Sequence, residues 1–142
     1  MSNMVKFFAA LADPTRLRLL ALVKNGETCV CHLQEVIETN QPKISRHLAY
    51  LKKAGLVRAR REGKWIYYRL ASLKEPQASI LAQVLQALNQ QSPMSQDAKR
   101  LDRVRCSKEK SSDSFQKSRK SRISELPARG LKSKRLAVGL KG

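Results

Sequence analysis

Aromatic side chains are scarce: three Phe, three Tyr and one Trp make up 5% of 142 residues. That suits a small core and excludes a large sandwich or barrel, so the length corresponds to one ordinary domain with room for a tail. Acidic residues are also few, 11 Asp and Glu against 29 Lys and Arg, for a net charge of +18. A chain so poor in one sign of charge favours a polyanionic partner, because Lys and Arg release counterions condensed on phosphates. No apolar run approaches the ~20 residues that span a bilayer. The opening Met1-Ser2-Asn3-Met4-Val5-Lys6 lacks the basic-then-apolar order of a signal peptide. The expectation is a cytoplasmic, nucleoid-associated protein with no membrane partner. Cysteines number three, an odd count, and Cys29 and Cys31 are too close in sequence for an easy mutual disulfide. The thiols are therefore expected to be free or ion-bound. There is no Cys-x-x-Cys of the kind a thiol oxidoreductase uses and no oxyanion loop, so no catalytic residue and no enzyme is expected.

What is present divides near Ser92. Residues 1–96 carry 14 Lys and Arg against 6 Asp and Glu, whereas 97–142 carry 15 against 5 in half the length. The second stretch is rich in Ser, Lys and Arg, holds one aromatic (Phe115), and shows no sustained apolar period. It cannot bury enough surface to offset chain entropy. The reading is a folded domain over 1–92 and a basic, mostly disordered tail over 93–142, with at most a transient helix around Ala98–Arg105.

Within the first part, Val5, Phe8, Ala9 and Leu11 suit a short helix. Asp13-Pro14 is an acidic cap followed by proline in the first helical position, and Asn25-Gly26 ends that second helix. Thr28 is placed to cap a third helix containing Leu33, Val36 and Ile37. Asn40 is placed to cap a fourth, in which Ile44, Leu48 and Leu51 recur at i, i+4 and i+7 until Ala54-Gly55. Two runs rich in β-formers, 56–61 and 65–70, flank Gly63 as a hairpin. A last helix from about Gln77 to Gln90 carries Ile80, Leu81, Val84, Leu85 and Leu88, a stripe broad enough to meet a partner. The fold class is mainly α with a β-hairpin wing: a winged helix-turn-helix, dimeric, with the tail appended.

The fourth helix, about Gln41 to Lys53, would be ~20 Å long at ~1.5 Å per residue, a fit for the major groove. Gln41, Lys43, Ser45, Arg46, His47 and Tyr50 lie away from its apolar stripe. Arg46 is the best candidate for guanine, because its planar fork pairs with two acceptors at once. Lys52, Lys53, Arg60, Arg61 and Lys64 suit phosphates, which give affinity without sequence information. The expected partner is double-stranded operator DNA; a general nucleic-acid binder differs in losing its site to excess bulk DNA.

Four runs together carry a family resemblance: Leu11-Ala12-Asp13-Pro14-Thr15-Arg16-Leu17-Arg18, Cys29-Val30-Cys31, Gln41-Pro42-Lys43-Ile44-Ser45-Arg46-His47-Leu48 and Gly63-Lys64-Trp65-Ile66-Tyr67-Tyr68-Arg69. In that order and spacing, over residues 5 to about 90, the chain resembles the ArsR/SmtB family, and within it the arsenic-responsive repressors. The resemblance implies a homodimer built mainly from the first and last helices. It also implies a repressor that leaves its operator on binding metal or metalloid ions.

Cys29 and Cys31 occupy the family's sensor position, so the expected inducer is As(III) or Sb(III), both thiophilic; soft thiolates also suit Cd, Pb or Zn. No organic cofactor is expected. Redox control through the same thiols is the competing reading, and simple packing of a helix N-terminus by two small side chains is the plainest one. The pair is read as lying in the first turn of the third helix, where free amides stabilise a thiolate. Side chains at i and i+2 of a helix point ~200° apart, so ion capture is expected to distort or unwind that turn and shift the fourth helix. The arsenic-responsive pattern often has a third cysteine three residues after the second; Gln34 stands there. Cys106, a water or hydroxide, or a small cellular thiol would have to complete the site. Residues 77–91 contain no His, Asp, Glu or Cys, so the zinc site that the family's other branch carries on the last helix is not expected.

Overall fold

The two helix starts that the sequence marks most strongly form as local chemistry dictates. In the computed structural model, Asp13 accepts a hydrogen bond from the Arg16 amide at 2.9 Å, with Pro14 opening the helix. Asn40 likewise accepts from the Lys43 amide at 3.0 Å, ahead of Pro42. Each carboxylate or amide oxygen satisfies a backbone donor that the first helical turn leaves unpaired. The structure describes residues 2–107; the disordered tail expected further on lies outside the described residues from 108 to 142.

The elements run α1 (Ser2–Leu11), α2 (Pro14–Val23), β1 (Thr28–Cys29), α3 (Val30–Ile37), α4 (Gln41–Lys53), β2 (Val57–Glu62), β3 (Trp65–Leu70) and α5 (Gln77–Asn89). A further helix, α6, covers 94–107. The core gathers Phe7 and Ala10 of α1, Leu19, Leu20 and Val23 of α2, Leu33 and Val36 of α3, and Ile44, Leu48 and Leu51 of α4. Leu81 and Leu85 of α5 close it. Helix α4 ends in a Schellman motif, with Leu56 N–H on the Leu51 carbonyl and Gly55 N–H on Lys52, both at 3.0 Å. Gly55 sits there at φ +80°, a conformation that penalises a Cβ. Gly63, at φ +59°, opens the two-residue turn between β2 and β3.

Two departures from the sequence expectation matter. The wing is not a hairpin alone: β1 joins it, giving the antiparallel order β1-β3-β2, with Thr28 opposite Tyr68 and Cys29 opposite Tyr67. Thr28 therefore does not cap α3. It lies in the strand, and the capping position falls to Cys29, whose extended backbone (φ −65°, ψ 141°) belongs to the ladder.

The second departure concerns the boundary at Ser92, since the compact unit runs on to Arg105. Helix α6 buries Met94 and Leu101, and Leu101 is part of the main core. Its Asp97, only 2% exposed, receives both Arg18 Nε (2.7 Å) and Nη2 (2.8 Å) from α2. Sparse apolar residues hid this helix from a periodicity argument, but one buried ion pair and two buried side chains hold it down. No helix among the described residues is long and apolar enough to cross a membrane.

Candidate functional site

The candidate DNA-reading side chains of α4 lie off its buried apolar stripe, on the part of the helix left outside the core. Ile44, Leu48 and Leu51 are fully buried, and Gln41, Lys43, Ser45, Arg46, Tyr50, Lys52 and Lys53 are exposed. His47 is half-buried, with Nδ1 3.7 Å from Asp13, which ties it to the cap of α2. Tyr50 carries the Arg16 guanidinium over its ring at 4.2 Å. That same guanidinium donates to the Ala10 and Ala9 carbonyls at 2.8 and 3.0 Å, closing the C-terminus of α1. Tyr50 is thus partly committed to the scaffold, whereas Lys43, Ser45 and Arg46 present free donors on a rigid element.

On the wing, Arg61 and Lys64 are exposed, and Lys64 lies 5.2 Å over the ring of Trp65. Arg60 is held differently. Its Nε and Nη2 both reach the Glu27 carboxylate at 2.8 Å, its Nη1 reaches Glu62 at 2.7 Å, and its guanidinium lies 4.7 Å over the Tyr67 ring. A guanidinium with two carboxylates and an aromatic face is not free for a phosphate until one carboxylate lets go. The pairing pushes Arg60 further above its already high pKa, and the Arg60 hydrogen bond holds Glu27 below the usual carboxylate range.

The thiol pair departs most from expectation. Cys29 is buried and extended, Cys31 is half-buried in the first turn of α3, and their sulfurs are 2.7 Å apart. The 200° argument fails because only one of the two residues is helical. At a strand-to-helix junction the backbone turns between them and aims both sulfurs at one point. Two sulfurs each ~2.3 Å from a shared ion would stand ~3–4 Å apart, about the ordinary contact distance of unbonded sulfurs, so thiols so placed are already near the spacing that one shared ion needs. Gln34 lines the open cleft beside Cys31 together with Glu35, Glu38, Thr39 and Asn40. Among the described residues no three His, Cys, Asp or Glu side chains converge as a metal-binding group. Cys106 is exposed.

The surroundings of the pair were not visible in the sequence. Tyr67 faces Cys29 across the ladder, and its phenol is pushed up first by burial and then by the nearby Cys29 charge. Arg105 of α6 donates to Thr28 Oγ1 at 2.7 Å and to the Glu27 carbonyl at 3.4 Å. Arg100 reaches the other end of α3, at the Val36 carbonyl (3.4 Å) and Glu38 (3.2 Å). The only signal for these contacts would have been strand character at 28–29, and two residues are too few to show a period.

Comparison with known proteins agrees with the fold. Residues 13–59 match the family described as bacterial regulatory protein, arsR family. Over 64 residues the chain is 55% identical to the arsenic resistance transcriptional regulator ArsR1 of Pseudomonas putida, covering 44% of this chain and 50% of the relative. It is 48% identical over 68 residues to the arsenical resistance operon repressor of Escherichia coli, covering 47% and 58%. The chain thus spans about half to three-fifths of the length of these relatives. Among solved structures, the homodimeric winged helix-turn-helix DNA-binding domain of Mb0332 from Mycobacterium bovis superposes with a TM-score of 0.54 at 35% identity, covering 62% of this chain and 80% of that one.

Proposed function

The chain belongs to the arsR family of bacterial regulatory proteins, DNA-binding regulators rather than enzymes, and we propose that it is a homodimeric repressor released from its operator by arsenite or antimonite at Cys29 and Cys31. The observation that carries this reading is the close approach of the two sulfurs at the start of the helix-turn-helix, Cys29 one residue ahead of α3 and Cys31 in its first turn. Arsenous acid condenses with two thiols: two S–As bonds form, two water molecules leave, and no electron is transferred. The third position on the ion falls to hydroxide, a small cellular thiol or Cys106, since Gln34 offers no sulfur.

Two protomers would place two copies of α4 in successive major grooves, with Arg46 reading guanine and Gln41, Lys43 and Ser45 reading nearby edges. Lys52, Lys53, Arg61 and Lys64 would hold phosphates. Val5 and Phe8 on α1, 63% and 51% exposed, are the apolar surface that a second copy would cover.

The close approach of the sulfurs also favours a second reading, release by oxidation of the same pair. One experiment separates the two: operator binding by the reduced full chain, titrated with arsenite, antimonite, Cd2+, Pb2+ and Zn2+, and separately with peroxide. Release by arsenite in the native chain, absent in a Cys29→Ser Cys31→Ser variant, supports the proposal. Release by peroxide alone supports the redox reading. Operator binding indifferent to every addition removes both.

A further inference from the structure

One row of the three-stranded sheet joins the thiol pair to the wing. Cys29 of β1 lies opposite Tyr67 of β3, and Tyr67 lies opposite Arg60 of β2. Cross-strand neighbours in one row project to the same face and touch, and the Arg60 guanidinium indeed covers the Tyr67 ring at 4.7 Å. The row is closed on itself by Glu27, two residues before Cys29, whose carboxylate takes both Arg60 nitrogens at 2.8 Å. Such a bidentate pair fixes orientation as well as distance. From the opposite side, Arg105 holds Thr28 Oγ1 at 2.7 Å. The segment ahead of the sensor sulfur is thus gripped between α6 and the wing.

We infer that ion capture is transmitted to DNA through the wing, along Cys29, Tyr67 and Arg60, with Glu27 and Arg60 as the positioning pair. This rests on the thiol reading above and deepens it. Cys29 is buried and paired in the ladder, and its neighbour Thr28 is bonded to Arg105 of α6, so a shift of Cys29 on ion capture is not absorbed locally. It passes to β3, and through the Glu27 tether to Arg60 and β2. The wing is reached from the Cys29 segment through two direct contacts, the Cys29–Tyr67 pairing and the Glu27–Arg60 ion pair.

The single Trp of the chain, Trp65, begins β3 opposite Glu62 and reports the wing without added label or DNA. The test uses the reduced full chain and sodium arsenite, reading residual titratable thiols, Trp65 emission and operator affinity. Native protein should show a Trp65 change that saturates as the thiol pair is blocked. Glu27→Gln should still lose two titratable thiols to arsenite, yet the Trp65 change should shrink and the arsenite-induced loss of operator affinity should fall at least about 5-fold, the low end of usual couplings. Glu27→Asp, which keeps the charge, should restore most of the response. The inference is overturned by Glu27→Gln that is released as fully as native protein, or that no longer captures arsenite. It is equally overturned by native protein that releases operator while Trp65 stays silent. Native protein that never releases with arsenite defeats the thiol reading itself, a distinct result.

Discussion

Removing Arg18 should harm this protein more than removing its partner Asp97, although both deletions break the same bidentate contact. The carboxylate is 2% exposed and the guanidinium 21%. Arg18→Ala leaves a buried, unpaired carboxylate, a loss of ~3–5 kcal/mol in comparable sites. Asp97→Ala leaves a cation that can turn a few ångströms towards water, so the loss is nearer ~1–2 kcal/mol, about that of one hydrogen bond to a charged group. The apolar hold on α6 comes chiefly from Met94 and Leu101, 7% and 5% exposed. Those two side chains supply together ~3–6 kcal/mol at ~1.5–3 each. Arg18→Ala therefore nearly cancels the docking of α6, and the helix should detach while α1 to α5 stay folded. Amide hydrogen exchange over 94–107, followed by mass spectrometry, reads this directly. Protection there should collapse in Arg18→Ala and persist in Asp97→Ala, with residues 14–53 protected in both. Equal loss in the two variants, or undiminished protection in Arg18→Ala, would refute the reasoning about where the desolvated charge sits.

Four further outcomes follow. Gln34→Cys puts a third sulfur one helical turn from Cys31 on the same face, and should slow arsenite dissociation by about tenfold or more, one ligand being worth over ~1.4 kcal/mol; an unchanged off-rate would show that the cleft does not reach the ion. Arg46→Ala should lose ~1–3 kcal/mol of discrimination at one base pair, whereas Lys52→Ala should weaken all sequences alike and lower the salt slope by ~0.9. Both are read by binding competition across salt concentrations. Truncation after Ser107 removes 11 Lys and Arg and 3 Asp and Glu, so if that stretch touches DNA the salt dependence of non-specific binding should flatten markedly; the compact unit to Arg105 should melt as before. Finally, Arg60 holds the Glu27 pKa below its ordinary 4.5. The tether's contribution is therefore complete above that pH and is lost as pH falls through the depressed value. Trp65 emission should accordingly be flat from neutral pH to about 4.5 and change only below it, and Glu27→Gln should abolish that acid step.

What the sequence made legible were features decided within a few residues. Asp13-Pro14 and Asn40 capped the helices they were expected to cap, because a cap needs only its own side chain and the next three amides. The α4 stripe and the β2–β3 hairpin formed as read, since Ile44, Leu48 and Leu51 and the Gly63 turn leave one low-energy arrangement each. Contacts made at long sequence separation were not legible. Nothing in Thr28-Cys29 announces a strand until Tyr67 and Tyr68 lie beside it. Nothing in the α6 sequence, which is mostly polar, announces that Asp97 meets Arg18 or that Arg105 meets Thr28. Arg60 illustrates the cost of reading charge alone: its sign suits phosphate, but two carboxylates already hold it.

The strand at Thr28–Cys29 also changes how the proposed sensor would work. Two cysteines at i and i+2 inside a helix would face apart, and an ion could bridge them only by unwinding a turn of α3. With Cys29 extended and Cys31 helical, the resting fold already brings the two sulfurs together, so in the proposed reading capture would begin from a preorganised site. Little free energy is then diverted into unfolding, and the ion's affinity can be high. A preorganised site, however, must report occupancy by a small motion. A small motion is read only where the surroundings are stiff on the side that responds. Cys29 meets that condition towards the wing, through the ladder to Tyr67 and the Glu27–Arg60 tether. A sensor of this form gains sensitivity by tightening the strand and loses it by loosening the tether. Substitutions at Glu27 should therefore alter response far more than they alter capture.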